Sequence, residues 1–286
     1  MKLDKVLKKD KQSVSFEIFP PKRDTELENI DGTLEILCSL KPDYISITFG
    51  AGGSMANSKT LEIAKKIKNT YGIEPVVHLT CLNYTKSEID GVLGELSEAG
   101  IENVLALRGD KNPNITQKYE FMYASDLVSY IKSKSDMYVC GACYPECHPE
   151  AKDKVEDMLN LRKKVDSGAD ALISQLFFDN DVFCKFVENT KMAGIDVPIH
   201  AGIMPVTNKA QIERMVTLCG ATLPEKFKRI LDRYADNKNA LFDAGMVYAI
   251  DQIVDLLARG VDGIHIYTMN NTTVAKRICD GIRNII

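Results

Sequence analysis

Eight times along this chain a short β-branched or aromatic run gives way to a longer segment whose apolar residues fall three and four apart. The strand-like runs cover residues 14–19, 44–49, 75–79, 103–107, 138–142, 171–175, 197–203 and 263–267. Helical spacing follows over 25–38, 58–71, 87–99, 124–133, 151–167 and 181–193. After the seventh run it covers 209–218, 224–234 and 241–259, and after the eighth 273–286. Repeated βα units build a parallel sheet with right-handed crossovers, and eight of them predict a closed (β/α)8 TIM barrel rather than the alternative, an open doubly wound sheet. At 286 residues, with no Pro-, Gly- or Ser-rich linker, the chain is expected to form one domain over 1–286, with a short amphipathic lead helix within 1–11.

Composition narrows the function classes. A net charge of −4 leaves no basic surplus for nucleic acid or an anionic membrane surface. No apolar run approaches the roughly 18 residues that span a bilayer, and no signal-type apolar core follows the Lys-rich start. A cytoplasmic location with reduced thiols is expected from eight cysteines in an unsignalled chain of this length. Cys140 and Cys143, with Cys147 and His148 beyond, have zinc-knuckle spacing, but residues three apart on a strand face opposite ways, so no metal is expected.

Barrel enzymes carry their sites at the C-terminal ends of the strands. Here nearly every such end is polar: Glu17, then Ser46 and Thr48, His78 and Thr80, Arg108 and Asp110, Tyr144 to His148, Ser174 and Gln175, His200, and His265 to Thr268. Each has a bland reading. A lone histidine such as His200 or His265 is more often a hydrogen-bonded structural residue than a catalyst, and Arg108 with Asp110 could be a surface pair. Together they describe a polar ligand pocket. Glu17 stands out. An unpaired carboxylate in an apolar strand costs several kcal/mol, so the group needs a partner, a raised pKa or a view of a cavity, and with a raised pKa it can donate a proton near neutral pH. The Gly50-Ala51-Gly52-Gly53 run lacks the third dinucleotide glycine and reads as a tight loop. Asp157, Asn160, Lys163 and Lys164, at helical spacing after strand five, form either a solvated face or a cationic reach toward a diphosphate.

Nine segments in order resemble the flavin-dependent methylenetetrahydrofolate reductases: Phe16-Glu17-Ile18-Phe19-Pro20-Pro21, Thr48-Phe49-Gly50-Ala51, His78-Leu79-Thr80-Cys81, Leu107-Arg108-Gly109-Asp110, Tyr123-Ala124-Ser125-Asp126-Leu127, Tyr144-Pro145-Glu146-Cys147-His148-Pro149-Glu150, Gln175-Leu176-Phe177-Phe178-Asp179, Gly202-Ile203-Met204-Pro205-Val206 and His265-Ile266-Tyr267-Thr268-Met269-Asn270. The resemblance implies a flavin, FAD before FMN, across the strand ends. Thr48, His78, Arg108, Asp110, Tyr123, Ala124, Tyr144, His148, Asp157, Asn160, Lys163, Lys164, Ile173 and Tyr267 would contact it. It implies reduction of 5,10-methylenetetrahydrofolate to 5-methyltetrahydrofolate with NADH or NADPH as donor, as part of methionine biosynthesis. Glu17 would be the general acid, and Asp110 and Gln175 would bind the pterin. A homo-oligomer is expected. Some relatives take electrons from a redox partner subunit instead, and a flavin-free folate-dependent methyltransferase barrel is a further alternative. Two positions depart from the pattern: Lys209 stands where relatives carry a stacking Phe, and Asn271 where an Arg is familiar. The C-terminal regulatory domain of larger eukaryotic forms is not expected.

Overall fold

Residues 1–8, 11–21, 27–48, 53–110 and 118–286 are described by the computed structural model, and eight parallel strands among them close into a barrel in chain order. In sequence the elements are α1 (Leu3–Val6), β1 (Ser13–Ile18), α2 (Leu27–Ser39), β2 (Tyr44–Ile47), α3 (Gly53–Tyr71), β3 (Glu74–Thr80), α4 (Lys86–Glu98) and β4 (Asn103–Leu107). Then come α5 (Ala124–Lys134), β5 (Tyr138–Cys143), α6 (Lys154–Asp166), β6 (Ala171–Ser174), α7 (Asn180–Met192), β7 (Ile199–Ile203), α8 (Lys209–Cys219), α9 (Glu225–Tyr234), α10 (Lys238–Ala258), β8 (Gly263–Tyr267) and α11 (Thr272–Ile282). The first strand pairs with the last: Val14 lies opposite Ile264, and Glu17 opposite Tyr267 on one side and Ser46 on the other.

Period-two alternation sorts the strand residues into two environments. Phe16, Ile18, Ile45, Ile47, Val77, Leu79, Val104 and Ala106 face the surrounding helices in the main apolar core. Tyr44, Val76, Leu105, Tyr138, Cys140, Ala171 and Ile173 fill the barrel interior instead. Cys140 therefore belongs to the inner cluster and Cys143 to the outer one, on opposite sides of the sheet. A third cluster, containing Leu176, Phe178, Met204, Ile212, Phe227 and Leu231, forms under α8 and α9, with Phe178, Phe227 and Tyr248 stacked in sequence.

Element ends differ from the sequence expectation where a local partner intervenes. The lead helix shrinks to one turn because Leu3 is fully buried in the barrel interior cluster. Its N–H donates to Asn103 Oδ1 at 2.8 Å, and Asn103 Nδ2 donates to Met1 O at 3.0 Å. α6 starts three residues later than periodicity suggests, because Asp153 accepts from the N–H groups of Val155 and Glu156 as N-cap. α3 starts five residues earlier, at Gly53, and no proline interrupts the stretch to Ser58. Of the loop read from Gly50-Ala51-Gly52-Gly53, the first three residues lie outside the described residues and Gly53 opens α3. No helix among the described residues is long and apolar enough to cross a membrane, and all eight cysteines are unpaired.

Candidate active site

Glu17 occupies the inward, penultimate position of β1 and is only 9% exposed. Burial pushes its carboxyl pKa up, and the neighbouring His78 works against that rise. Its Oε2 lies 3.4 Å from His78 Nε2 and 3.8 Å from His265 Nε2. Both imidazoles are buried; desolvation lowers the His78 pKa and pulls that of His265 down to about 3, so neither is a cation at neutral pH. Glu17 thus meets neutral rings, and burial disfavours the ionised form of its carboxyl. The main chain around it is held firmly. Thr268 Oγ1 donates to Glu17 O at 2.7 Å, and Asn270 exchanges two 2.9 Å hydrogen bonds with the backbone of Phe19.

Below Glu17 the interior stays polar. Ser15 Oγ is 2.7 Å from His265 Nδ1, and Tyr44 Oη is 2.7 Å from His200 Nδ1. The structural reading therefore holds for His200, whose pKa burial lowers to about 3. Tyr267 turns its hydroxyl to Ser174 O at 2.7 Å, with its ring over Gly202. A Cβ at Gly202 would sit 2.2 Å from Ser174 O and 2.8 Å from Tyr267 Oη, which is why a glycine stands there. Ile173 is buried in the apolar part of the interior.

The remaining candidates line the rim. Thr48 follows β2 and donates its N–H to Ile18 O. Gly109, at φ +85, makes the turn between Arg108 and the exposed Asp110, and the N–H groups of Cys81 and Leu82 both donate to Arg108 O. Arg108 forms a two-pronged bond to Glu150, at 2.6 and 3.0 Å. Glu150 in turn gives its N–H to His148 Nδ1 at 3.0 Å, which leaves the His148 ring proton on Nε2. The Tyr144 and His148 rings meet edge-on at 4.6 Å. Tyr123 caps α5, exposed and anchored by Asp126, and Ala124 is that helix's first residue. On α6, Asp157 accepts from His148 N at 3.0 Å, and Lys164 Nζ donates to Ala142 O at 2.6 Å beneath the β5 exit. Desolvation lowers the Lys164 pKa. Asn160 and Lys163 face solvent, Lys163 being about 100° round the helix from Lys164. Gln175 Oε1 accepts from Leu176 N.

The two departures have local roles. Lys209 opens α8 and pairs with Asp232 of α9 at 2.7 Å. Asn271 is the N-cap of α11, accepting from Val274 N at 3.1 Å. Sequence reasoning gave no role to Glu150, which orients both Arg108 and His148, nor to Glu146, which accepts from Thr222 N and Oγ1 and ties the β5 loop to the segment between α8 and α9. The signal available was the pair of glutamates flanking Cys147-His148-Pro149 in one loop.

The family model described as methylenetetrahydrofolate reductase matches residues 2–283. A 5,10-methylenetetrahydrofolate reductase of Escherichia coli (strain K12) is 38% identical over 267 residues, covering 93% of this chain and 89% of the relative. Methylenetetrahydrofolate reductase (NADH) 1 of Arabidopsis thaliana is 38% identical over 285 residues, covering 94% of this chain and 48% of the relative. The chain therefore spans about half the length of the plant relatives it matches. Among solved structures, an uncharacterized protein from Clostridium thermocellum that binds two copies of 5-methyl-5,6,7,8-tetrahydrofolic acid superposes at a TM-score of 0.70 over 100% of both chains, with 15% identity, and so shares the fold. On the match over residues 2–283 and the 38% identity to the bacterial reductase, the chain belongs to the methylenetetrahydrofolate reductase family.

Proposed function

We propose that this chain reduces 5,10-methylenetetrahydrofolate to 5-methyltetrahydrofolate, using a bound flavin, FAD before FMN, and NADH or NADPH. The observation that carries the reading is Glu17: a buried carboxyl with a raised pKa at the C-terminal mouth of a barrel. The names of the relatives, NADH among them, support the reaction and the donor. Free thiols fit a cytoplasmic setting.

The rim suits a flavin. Among the described residues His78 Nε2 is buried without a hydrogen-bond partner, since its approach to Glu17 lacks hydrogen-bond geometry, and so offers a ligand a place to complete. Arg108, paired with Glu150, and Lys164, which donates to Ala142 O, are the cations proposed to face a diphosphate. Thr48, Asp110, Tyr123, Ala124, Tyr144, His148, Asp157, Asn160, Lys163, Ile173 and Tyr267 complete the proposed set. When bound, the flavin supplies a centre that takes a hydride from the nicotinamide and gives one to the folate.

The chain's own residues do the rest. Glu17 holds a proton and delivers it to the departing nitrogen of the folate's five-membered ring, which opens to an iminium ready for reduction. The carboxylate left behind sits among neutral rings, which drives it to regain a proton for the next cycle. Asp110 and Gln175 hydrogen-bond the pterin and set its face toward the acid. Asp110 is also an anion at the rim, and disfavours further negative charge beside it. Homo-oligomer formation belongs to the same proposal.

The test is anaerobic. The purified protein should be yellow, NADH or NADPH should bleach it, and methylenetetrahydrofolate should restore the colour. A colourless protein that still methylates or reduces folate overturns the flavin assignment. Bleaching by a reduced partner protein, with neither nicotinamide competent, moves the reading to a reductase subunit. Lys209 favours including that second arm, because its pairing with Asp232 replaces the aromatic platform of relatives.

A further inference from the structure

Ser15 and His265 lie beneath Glu17 in a way that sets the proton inventory of this corner of the barrel. His265 is 0% exposed and Ser15 likewise. Ser15 Oγ sits beside the Tyr44 hydroxyl and has two further contacts, Ile264 O at 3.3 Å and His265 Nδ1 at 2.7 Å. A serine hydroxyl carries one proton, and a carbonyl oxygen only accepts. Both contacts are hydrogen bonds only if the hydroxyl donates to Ile264 O and Nδ1–H donates to the hydroxyl. A neutral imidazole carries one N–H, so the other nitrogen is then a bare acceptor. That nitrogen, Nε2, lies 3.4 Å from Ser46 Oγ and 3.8 Å from Glu17 Oε2.

We propose that His265 is a positioning residue: locked by Ser15 as its Nδ1–H tautomer, it turns the lone pair of Nε2 toward Glu17 and keeps the proton on that carboxyl. The distance is too long for a hydrogen bond, so the effect is electrostatic, the negative end of the ring dipole facing the acid. An ionised Glu17 would meet that lone pair head-on; a protonated one does not. The other groups facing Glu17 are His78 from β3, Tyr267 from β8 and the uncharged Ser46 from β2. His78 is desolvated toward its neutral form, and the Tyr267 phenol is raised far above its ordinary range, so among the described residues no cation opposes His265. The consequence for function rests on the reading of Glu17 as proton donor; the coupling of the two side chains does not.

The chain has four histidines, which makes nitrogen NMR of the 15N-histidine-labelled protein tractable, with His265 assigned by its loss in His265→Asn. The proton is expected on Nδ1; finding it on Nε2 overturns the proposal. Infrared titration then follows the un-ionised carboxyl band that Glu17→Gln removes. In His265→Asn, where an amide keeps a donor for Ser15 and the Nε2 lone pair is gone, the midpoint is expected to fall by about one pH unit, tenfold in proton concentration. Ser15→Ala, which frees the tautomer but keeps the ring, is expected to shift it the same way by less. An unchanged or higher midpoint in whichever of the two variants keeps the parent's circular dichroism refutes the coupling. Full folate turnover in Glu17→Gln sinks the proton-donor reading alone, and leaves the infrared result to judge His265.

Discussion

One carboxyl on β1, that of Glu17, is where the proposed chemistry concentrates. If Glu17 is the general acid, Glu17→Gln should leave nicotinamide-driven bleaching of the flavin near the parent rate and cut folate turnover by roughly 10²–10⁴-fold. Stopped-flow measurement of the two half-reactions separates those effects; equal loss in both would mean the substitution disturbs binding of the flavin instead. Gly202 is a second decisive position. Gly202→Ala forces a Cβ against backbone at Ser174 and the ring of Tyr267, neither of which has room to yield, and overpacking of this kind costs roughly 1–3 kcal/mol. A lower urea midpoint checks it. The identity of Glu17 as an unusual residue was readable from the chain, because a charge among Phe16, Ile18 and Phe19 is a local fact. Its companions were not, because Ser15 and His265 are separated by 250 residues and meet only when β1 pairs with β8.

Element ends carry the next layer of information. The capping box of α4 is written in order as Thr85-Lys86-Ser87-Glu88, and both reciprocal bonds form. Thr85→Ala is expected to lower stability by about 1 kcal/mol, measured as a shift in the denaturation midpoint without a change in slope. Asn270 shows the opposite kind of end. It adopts a left-handed φ of 56 and lays its amide along Phe19, extending the β1–β8 pairing past the last ladder bond. Asn270→Ala removes both hydrogen bonds, so the Phe19 amide should exchange with solvent markedly faster while amides in mid-strand keep their protection. The eight strand positions were legible because the runs are short, β-branched and flanked by turn residues. The lead helix is shorter than its periodicity suggests, since Leu3 is drawn into the barrel by Asn103.

Across the whole molecule, closure of the barrel buries imidazoles that an unfolded chain would leave in water. His200 and His265 titrate at about 3 in the fold against 6.5 unperturbed, so the unfolded chain binds more protons between those values. Stability contributed by keeping them neutral is present above pH 6.5 and is lost as the pH falls toward 3. Glu17 has the opposite sign, its pKa being raised by folding, and offsets part of the loss. The urea midpoint is therefore expected to drop between pH 7 and pH 5, with a slope on the order of 1.4 kcal/mol per pH unit for each net proton taken up on unfolding. A flat profile would falsify the burial of neutral imidazoles. Alternating strands and helices dictated a barrel, and a polar group at nearly every strand end marked a candidate site at its rim, since period and turn chemistry are properties of neighbours in sequence. Only the folded chain decided which of those polar groups look at one another. Arg108 went to Glu150 between neighbouring strand-end loops, His200 to Tyr44 across the barrel interior, and His265 to Ser15 on the adjacent strand below Glu17, because such pairings depend on how a closed sheet brings together strands that are distant in sequence.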